Sequence, residues 1–193
     1  MATEITSPSQ LPNVYGVEQW HDCQLFCLSP VPDSILIKTY ELLEKDGLLP
    51  FLFYEGVPSQ QEYLDWLKSP AVRYVTGWVR PTLDSDYSEI AGIGLAYNVA
   101  QIEGKWIAEV AQAFSRPAQA SGVTAPLSRI MTKFAFERLG LDALFGVTPV
   151  ANRPAIRFIE SVGFKGLGVL PGYRKWNGRP VSCVVSVKTE AAA

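Results

Sequence analysis

The sequence predicts an α+β domain, with a mixed, mostly antiparallel central sheet flanked by helices. Three observations carry this. The middle of the chain, from Val72 to Ser115, reads as three consecutive strands joined by hairpins. After it the hydrophobic period changes from two to that of a helix, and helices then alternate with strands. The chain has 193 residues with 48% hydrophobic and 19% charged content, which supplies one sizeable core rather than a disordered chain.

The elements follow in order. Residues 1–13 are rich in Ser, Thr, Pro and Asn, and the division expected is a leader over 1–20 and one domain over 21–190. Cys23 to Leu28 is a short strand before Pro30. Asp33 to Lys45 is a helix with Asp33 as its expected N-cap, an apolar stripe through Ile35, Thr39, Leu42 and Leu43, and Gly47 as its stop. Ser59 to Lys68 is a second helix, opened by a Ser59/Glu62 capping box and followed by Pro70. Val72 to Arg80, Glu89 to Val99 and Lys105 to Ser115 are the three strands. Leu83 to Ser88 and Gln101 to Gly104 are their connections.

Leu127, Ile130, Met131, Phe134 and Ala135 then recur at helical spacing, ending near Gly140. Leu141 to Thr148 is a strand. Asn152 to Val162 is a helix with Asn152 as cap, Pro154 in its first turn and Gly163 after its end. Phe164 to Val169 and Val181 to Val187 pair through a hairpin around Asn177-Gly178.

Composition narrows the function. A formal net charge of −2 and a pI near 5.5 argue against a surface that neutralises many phosphates, so nucleic acid is not the expected partner. The cysteines are Cys23, Cys27 and Cys183, an odd count without disulfide spacing, and His21 is the one histidine; no metal site is expected. No run approaches the ~18 apolar residues of a membrane helix, and no secretory leader is evident. The expected location is the cytoplasm, with no membrane partner.

The chemistry concentrates between Trp106 and Phe164. The segment Gln119-Ala-Ser-Gly122-Val-Thr124 carries small residues at the start of a helix. Backbone N–H groups there can approach an anion closely, and the helix N-terminus adds partial positive charge. Gln119-x-x-Gly122-x-Thr124 resembles the Q/R-x-x-G-x-G/A pyrophosphate loop of the GNAT family of acyl-CoA-dependent N-acyltransferases. Asn152-Arg-Pro-Ala-Ile-Arg-Phe-Ile-Glu-Ser-Val-Gly163-Phe164 is similar to that family's N-x-x-[AS]-x-x-[LF]-x-E-x-x-G-F block. Thr124 stands where the family usually has Gly or Ala, and Pro126 removes one backbone donor.

The resemblance implies a GNAT fold and transfer of an acetyl or other acyl group from acyl-CoA to an amine of a small molecule or protein. Acetyl-CoA is the cosubstrate it implies, with no metal, and a homodimer is compatible with it. It implies cofactor contacts from Ala113, Phe114, Ser115, Gln119, Ala120, Ser121, Gly122, Val123, Thr124, Asn152 and Ala155. Many members carry a tyrosine proton donor where this chain has Ile159. The branch that acetylates ribosomal-protein N-termini also commonly has an aliphatic residue there, and the pattern stands closest to that branch.

A neutral amine nucleophile requires a proton acceptor. Glu109 lies on the third strand of the middle sheet, in a stretch resembling the strand on which histone-acetylating members carry their base; it is the candidate base. Tyr173, in the late hairpin, is the candidate to return a proton to the departing thiolate. The competing reading is a GNAT-fold protein without turnover, a CoA-binding or interaction module, motivated by Thr124 and the missing tyrosine.

Overall fold

The computed structural model describes residues 14–53, 56–80, 88–176 and 178–190. The first thirteen residues, residues 83–87 of the expected Leu83–Ser88 connection, and Asn177 lie outside these. The elements are β1 (Val14–Trp20), β2 (Cys23–Leu28), α1 (Asp33–Lys45), α2 (Leu49–Leu52), α3 (Gln60–Lys68), β3 (Arg73–Arg80), β4 (Glu89–Ile102), β5 (Lys105–Phe114), α4 (Arg116–Ser121), α5 (Thr124–Glu137), β6 (Ala143–Pro149), α6 (Arg153–Ser161), β7 (Lys165–Trp176) and β8 (Arg179–Thr189).

The strands form one eight-stranded sheet in the order β1-β2-β3-β4-β5-β6-β8-β7. Every neighbouring pair is antiparallel except β5 and β6, which run parallel. Parallel neighbours need a crossover, and α4 and α5 supply it.

Helices cover both faces. On one, Leu36, Tyr40 and Leu43 of α1 pack with Tyr63 and Leu67 of α3 over Ile93 and Leu95 of β4. On the other, Leu127, Ile130 and Met131 of α5 lie on Leu25 and Val75. The sequence removes side chains where α5 crosses the sheet: a Cβ added at Gly77 would stand 2.6 Å from the Met131 methyl. Ala135 and Phe136 of α5 then meet Val162 and Phe164 at the end of α6.

β4 and β7 run further than the sequence implies, to Ile102 and Trp176, and three further expectations change in kind. Residues 14–20, assigned to a leader, are a strand paired with β2. Pro32, not Asp33, occupies the N-cap of α1, with no side-chain cap bond; the Asp33 carboxylate accepts a 2.6 Å hydrogen bond from Lys68 instead. Residues 119–121, expected as part of a loop that opens a helix, complete the short helix α4, which Ser115 caps by accepting from the Ala118 amide.

Candidate active site

The one parallel pair is short. Only Ile107, Ala108 and Glu109 of β5 face partners on β6, namely Ala143, Leu144 and Phe145. Beyond Glu109 the two strands part, although β5 runs on to Phe114 and β6 to Pro149. Alternate backbone amides of residues 110–114 therefore point into a gap instead of a ladder.

A cleft of about 460 Å³ occupies that gap. Its lining includes Ala113, Phe114, Gln119, Thr124, Asn152 and Ala155 from the sequence-derived set, with Leu48, Phe51, Gln112, Pro154 and Phe158 in addition. No acidic side chain lines it. Gly122 ends α4 at φ 78°, and a Cβ there would meet nothing within 4 Å. This left-handed residue turns the chain from α4 directly into α5. The first-turn amides of α5 have no intrahelical acceptor; Val123 adds no side-chain cap bond, and Pro126 donates nothing.

Two polar side chains are fixed in the lining by short-range bonds. Gln119 Nε2 donates to the Phe114 carbonyl at 2.6 Å, tying α4 back to the strand end. Asn152 Oδ1 accepts from the Ala155 amide at 3.3 Å, the cap expected for α6. The cap uses only the oxygen, which leaves the Nδ2 donors for a ligand.

Not all the expected contacts meet in this cleft. Ser115, Ser121 and Val123 line a separate hollow of about 380 Å³, together with residues 20–23 of the β1–β2 turn and Glu89. Ala120 is exposed and Gly122 borders open space. None of these five positions lines the cleft.

Glu109 marks the point of parting. It is 2% exposed and shares a strand face with Ala111 and Ala113, which pack in the α1–α3 cluster. Three donors hold its carboxylate: Tyr97 Oη at 3.0 Å on Oε1, Asn98 Nδ2 at 3.0 Å on Oε2, and the Arg174 guanidinium on Oε1. Adjacent strand residues normally point to opposite faces. A bulge between Tyr97 and Ala100, with Asn98 at φ 51°, turns both Tyr97 and Asn98 onto the one carboxylate.

Arg174 arrives from far away in sequence. β6 ends at Pro149, opposite Cys183, whereas the β7–β8 hairpin continues through Arg174–Val181 to Trp176–Arg179. The overhanging hairpin bends across the α1–α3 face. Arg174 meets Glu109 there, and Trp176 packs on Phe51 of α2 with ring centroids 5.1 Å apart. Burial disfavours the Arg174 charge, but Glu109, Tyr97 and Tyr173 together raise the guanidinium above its ordinary value. Tyr173 is half exposed and stacks on the same guanidinium, its centroid 5.2 Å from Cζ; it does not line the cleft.

The sequence reading missed Arg174 as a partner of Glu109 and missed the α2 wall. The one signal available was the basic run around Trp176. Among the described residues no group of three or more His, Cys, Asp or Glu is placed to hold a metal, and no helix is long and apolar enough to cross a membrane.

The family model for an acetyltransferase (GNAT) domain matches residues 39–165. Comparison with curated protein sequences returns no match. Among solved structures the chain is similar to the ribosomal-protein-S5-alanine acetyltransferase of Vibrio fischeri, at 14% identity over 91% of this chain and 97% of that one, with TM-score 0.67. It is also similar to the spermidine N-acetyltransferase of Vibrio cholerae in complex with CoA and spermine, at 18% identity over 88% and 96%, with TM-score 0.69. A GNAT-family acetyltransferase of Bacillus anthracis gives 13% identity over 93% and 99%, with TM-score 0.68.

Proposed function

The chain belongs to the GNAT acetyltransferase family, whose members move an acyl group from acyl-CoA to an amine, and on that premise we propose how its cleft performs the transfer. The observation that carries the reading is the parting of β5 and β6 at Glu109, which opens a cleft walled by Ala113, Phe114, Thr124, Asn152 and Ala155. The cleft fits a CoA diphosphate in kind: a helix N-terminus opens onto it, small residues allow close backbone approach, and no carboxylate repels the anion.

The α5 amides after Gly122 take the diphosphate. The unladdered amides of residues 110–114 take the pantetheine arm, and Asn152 donates to it through Nδ2. The thioester then lies at the closed end of the gap beside Glu109. There the acceptor amine attacks the thioester carbonyl. A β5 amide stabilises the oxyanion, the C–S bond breaks, and the amine proton passes to Glu109 through a water. We assign Tyr173 to holding the Arg174 guanidinium rather than to proton return, which solvent supplies to the thiolate.

The binding half of this reading is tested by calorimetric titration with acetyl-CoA of the protein and its Gly122→Asp variant. An aspartate tolerates the left-handed backbone better than most residues, and it has room there. The fold should survive while the carboxylate repels the diphosphate, weakening affinity about tenfold or more. Equal affinity in the two proteins would move the diphosphate away from the α5 N-terminus.

A further inference from the structure

The acyl end of the cleft carries a charge balance that bears on the acceptor. Glu109 is the carboxylate at the point of parting, and it is already neutralised by Arg174 within the same chain. The cleft lining itself contributes no carboxylate. The hairpin that brings Arg174 continues with two exposed cations, Lys175 and Arg179.

An incoming ammonium meets a carboxylate that already has a cationic partner. To reach it, the amine must share Glu109 with the guanidinium or displace it. Arg174 is only 25% exposed in its side chain, so a displaced guanidinium needs a new anionic partner. A polyamine offers none, and it brings further positive charge against Arg174, Lys175 and Arg179. An amine whose own molecule carries a carboxylate or phosphate a few bonds away offers both halves of the exchange: its ammonium goes to Glu109 and its anion to Arg174.

We propose that Arg174 is the acceptor-selecting residue of this site, favouring amines that carry their own anionic group and rejecting polycationic amines. The inference rests on the reading that the acceptor approaches beside Glu109. It separates this chain from its structural neighbour that is a spermidine acetyltransferase, despite the shared fold.

The test compares thiol release from acetyl-CoA with three acceptors, alanylglycine, n-propylamine and spermidine, for the wild-type protein, Arg174→Met and Arg174→Gln. Acetyl-CoA affinity is titrated for each. The wild type should use alanylglycine better than spermidine by about tenfold or more in kcat/KM. Arg174→Met should reduce that ratio about tenfold or more, mainly through the acceptor KM, with acetyl-CoA affinity unchanged.

Arg174→Gln can still donate to Glu109 and keeps the fold if the methionine variant loses it; it should shift the ratio in the same direction. A wild-type preference for spermidine overturns the proposal, as does a ratio that neither variant moves. Absence of turnover with every acceptor overturns it as well. Failure of the wild type to bind acetyl-CoA instead strikes the proposed function itself, so the two failures are distinguishable.

Discussion

Glu109 is read from the sequence as a carboxylate on a central strand, and it holds that place. Its partners could not be read. Tyr97 and Asn98 converge on it only because of a bulge, and Arg174 lies 65 residues further along the chain. A carboxylate with three donors is held in one rotamer, which suits a proton relay through water better than a mobile direct base. Glu109→Gln keeps the size and one acceptor oxygen but removes the charge. The variant should bind acetyl-CoA with unchanged affinity and lose about 10²–10⁴ in turnover, measured by thiol release with the best acceptor. Wild-type turnover with the same pH profile would reduce Glu109 to an anchor for the hairpin. Asn152 shows the opposite degree of legibility, because its cap depends only on the next three residues, and those are visible in sequence.

Elements whose causes are local were legible, and those whose causes are tertiary were not. The capping box of α3 is formed as the sequence implies: the Ser59 amide donates to Glu62 at 2.7 Å, and the Glu62 amide donates back to the Ser59 hydroxyl at 3.3 Å. The Ser59 hydroxyl also donates to that carboxylate at 2.7 Å, and this bond together with that of the Ser59 amide pulls the Glu62 carboxyl below its ordinary value. Ser59→Ala should lower stability by about 0.5–2 kcal/mol, read from the midpoint of urea unfolding. An unchanged midpoint would mean that Tyr63, Leu64 and Leu67, all buried, hold the helix without its cap. By contrast, β1 shows little alternation, and its exposed and half-buried residues gave no strand signal; pairing with β2 makes it a strand. The four residues of α2 include Pro50 and are too few for a helical period. The turn of α4 was hidden by Pro117 and by the glycine that follows it. Yet α2 supplies Phe51, and α4 supplies Gln119, to the cleft. Of the cleft lining, Ala113, Phe114, Gln119, Thr124, Asn152 and Ala155 were therefore readable, and the hairpin contact to Glu109 was not.

At the scale of the whole molecule, the buried acids set the response to alkali. Burial pushes the thiol of Cys27 far above its ordinary 9.0, and it also raises Cys23 and Cys183. Tyr63 and Tyr15 are raised above 10.0, the latter also by its bond to the Glu137 carboxylate. Each keeps its proton in the folded state after the unfolded chain has lost it. Stability is therefore full below about pH 9 and falls above it, by up to about 1.4 kcal/mol per pH unit for a fully buried group such as Cys27. Lys188 acts in the opposite sense, because burial lowers it, and it offsets only part of the fall. Urea unfolding at pH 7, 9 and 10.5 should show the decline, and Cys27→Ala should flatten its first unit whatever its baseline cost. A flat profile in the unsubstituted protein would show that these groups reach solvent. The strand order has a consequence for the newly made chain. β8 follows the other seven strands of this sheet in the chain, yet it lies inside the sheet, between β6 and β7. Until residues 179–189 leave the ribosome, β6 has an open edge and β7 has no partner. The hairpin that carries Arg174 to Glu109 cannot close before then. Nascent chains can bury the α1–α3 and α5 cores early, but the Arg174–Glu109 contact is assembled after them, at a loop-closure entropy cost met before it returns any stabilisation.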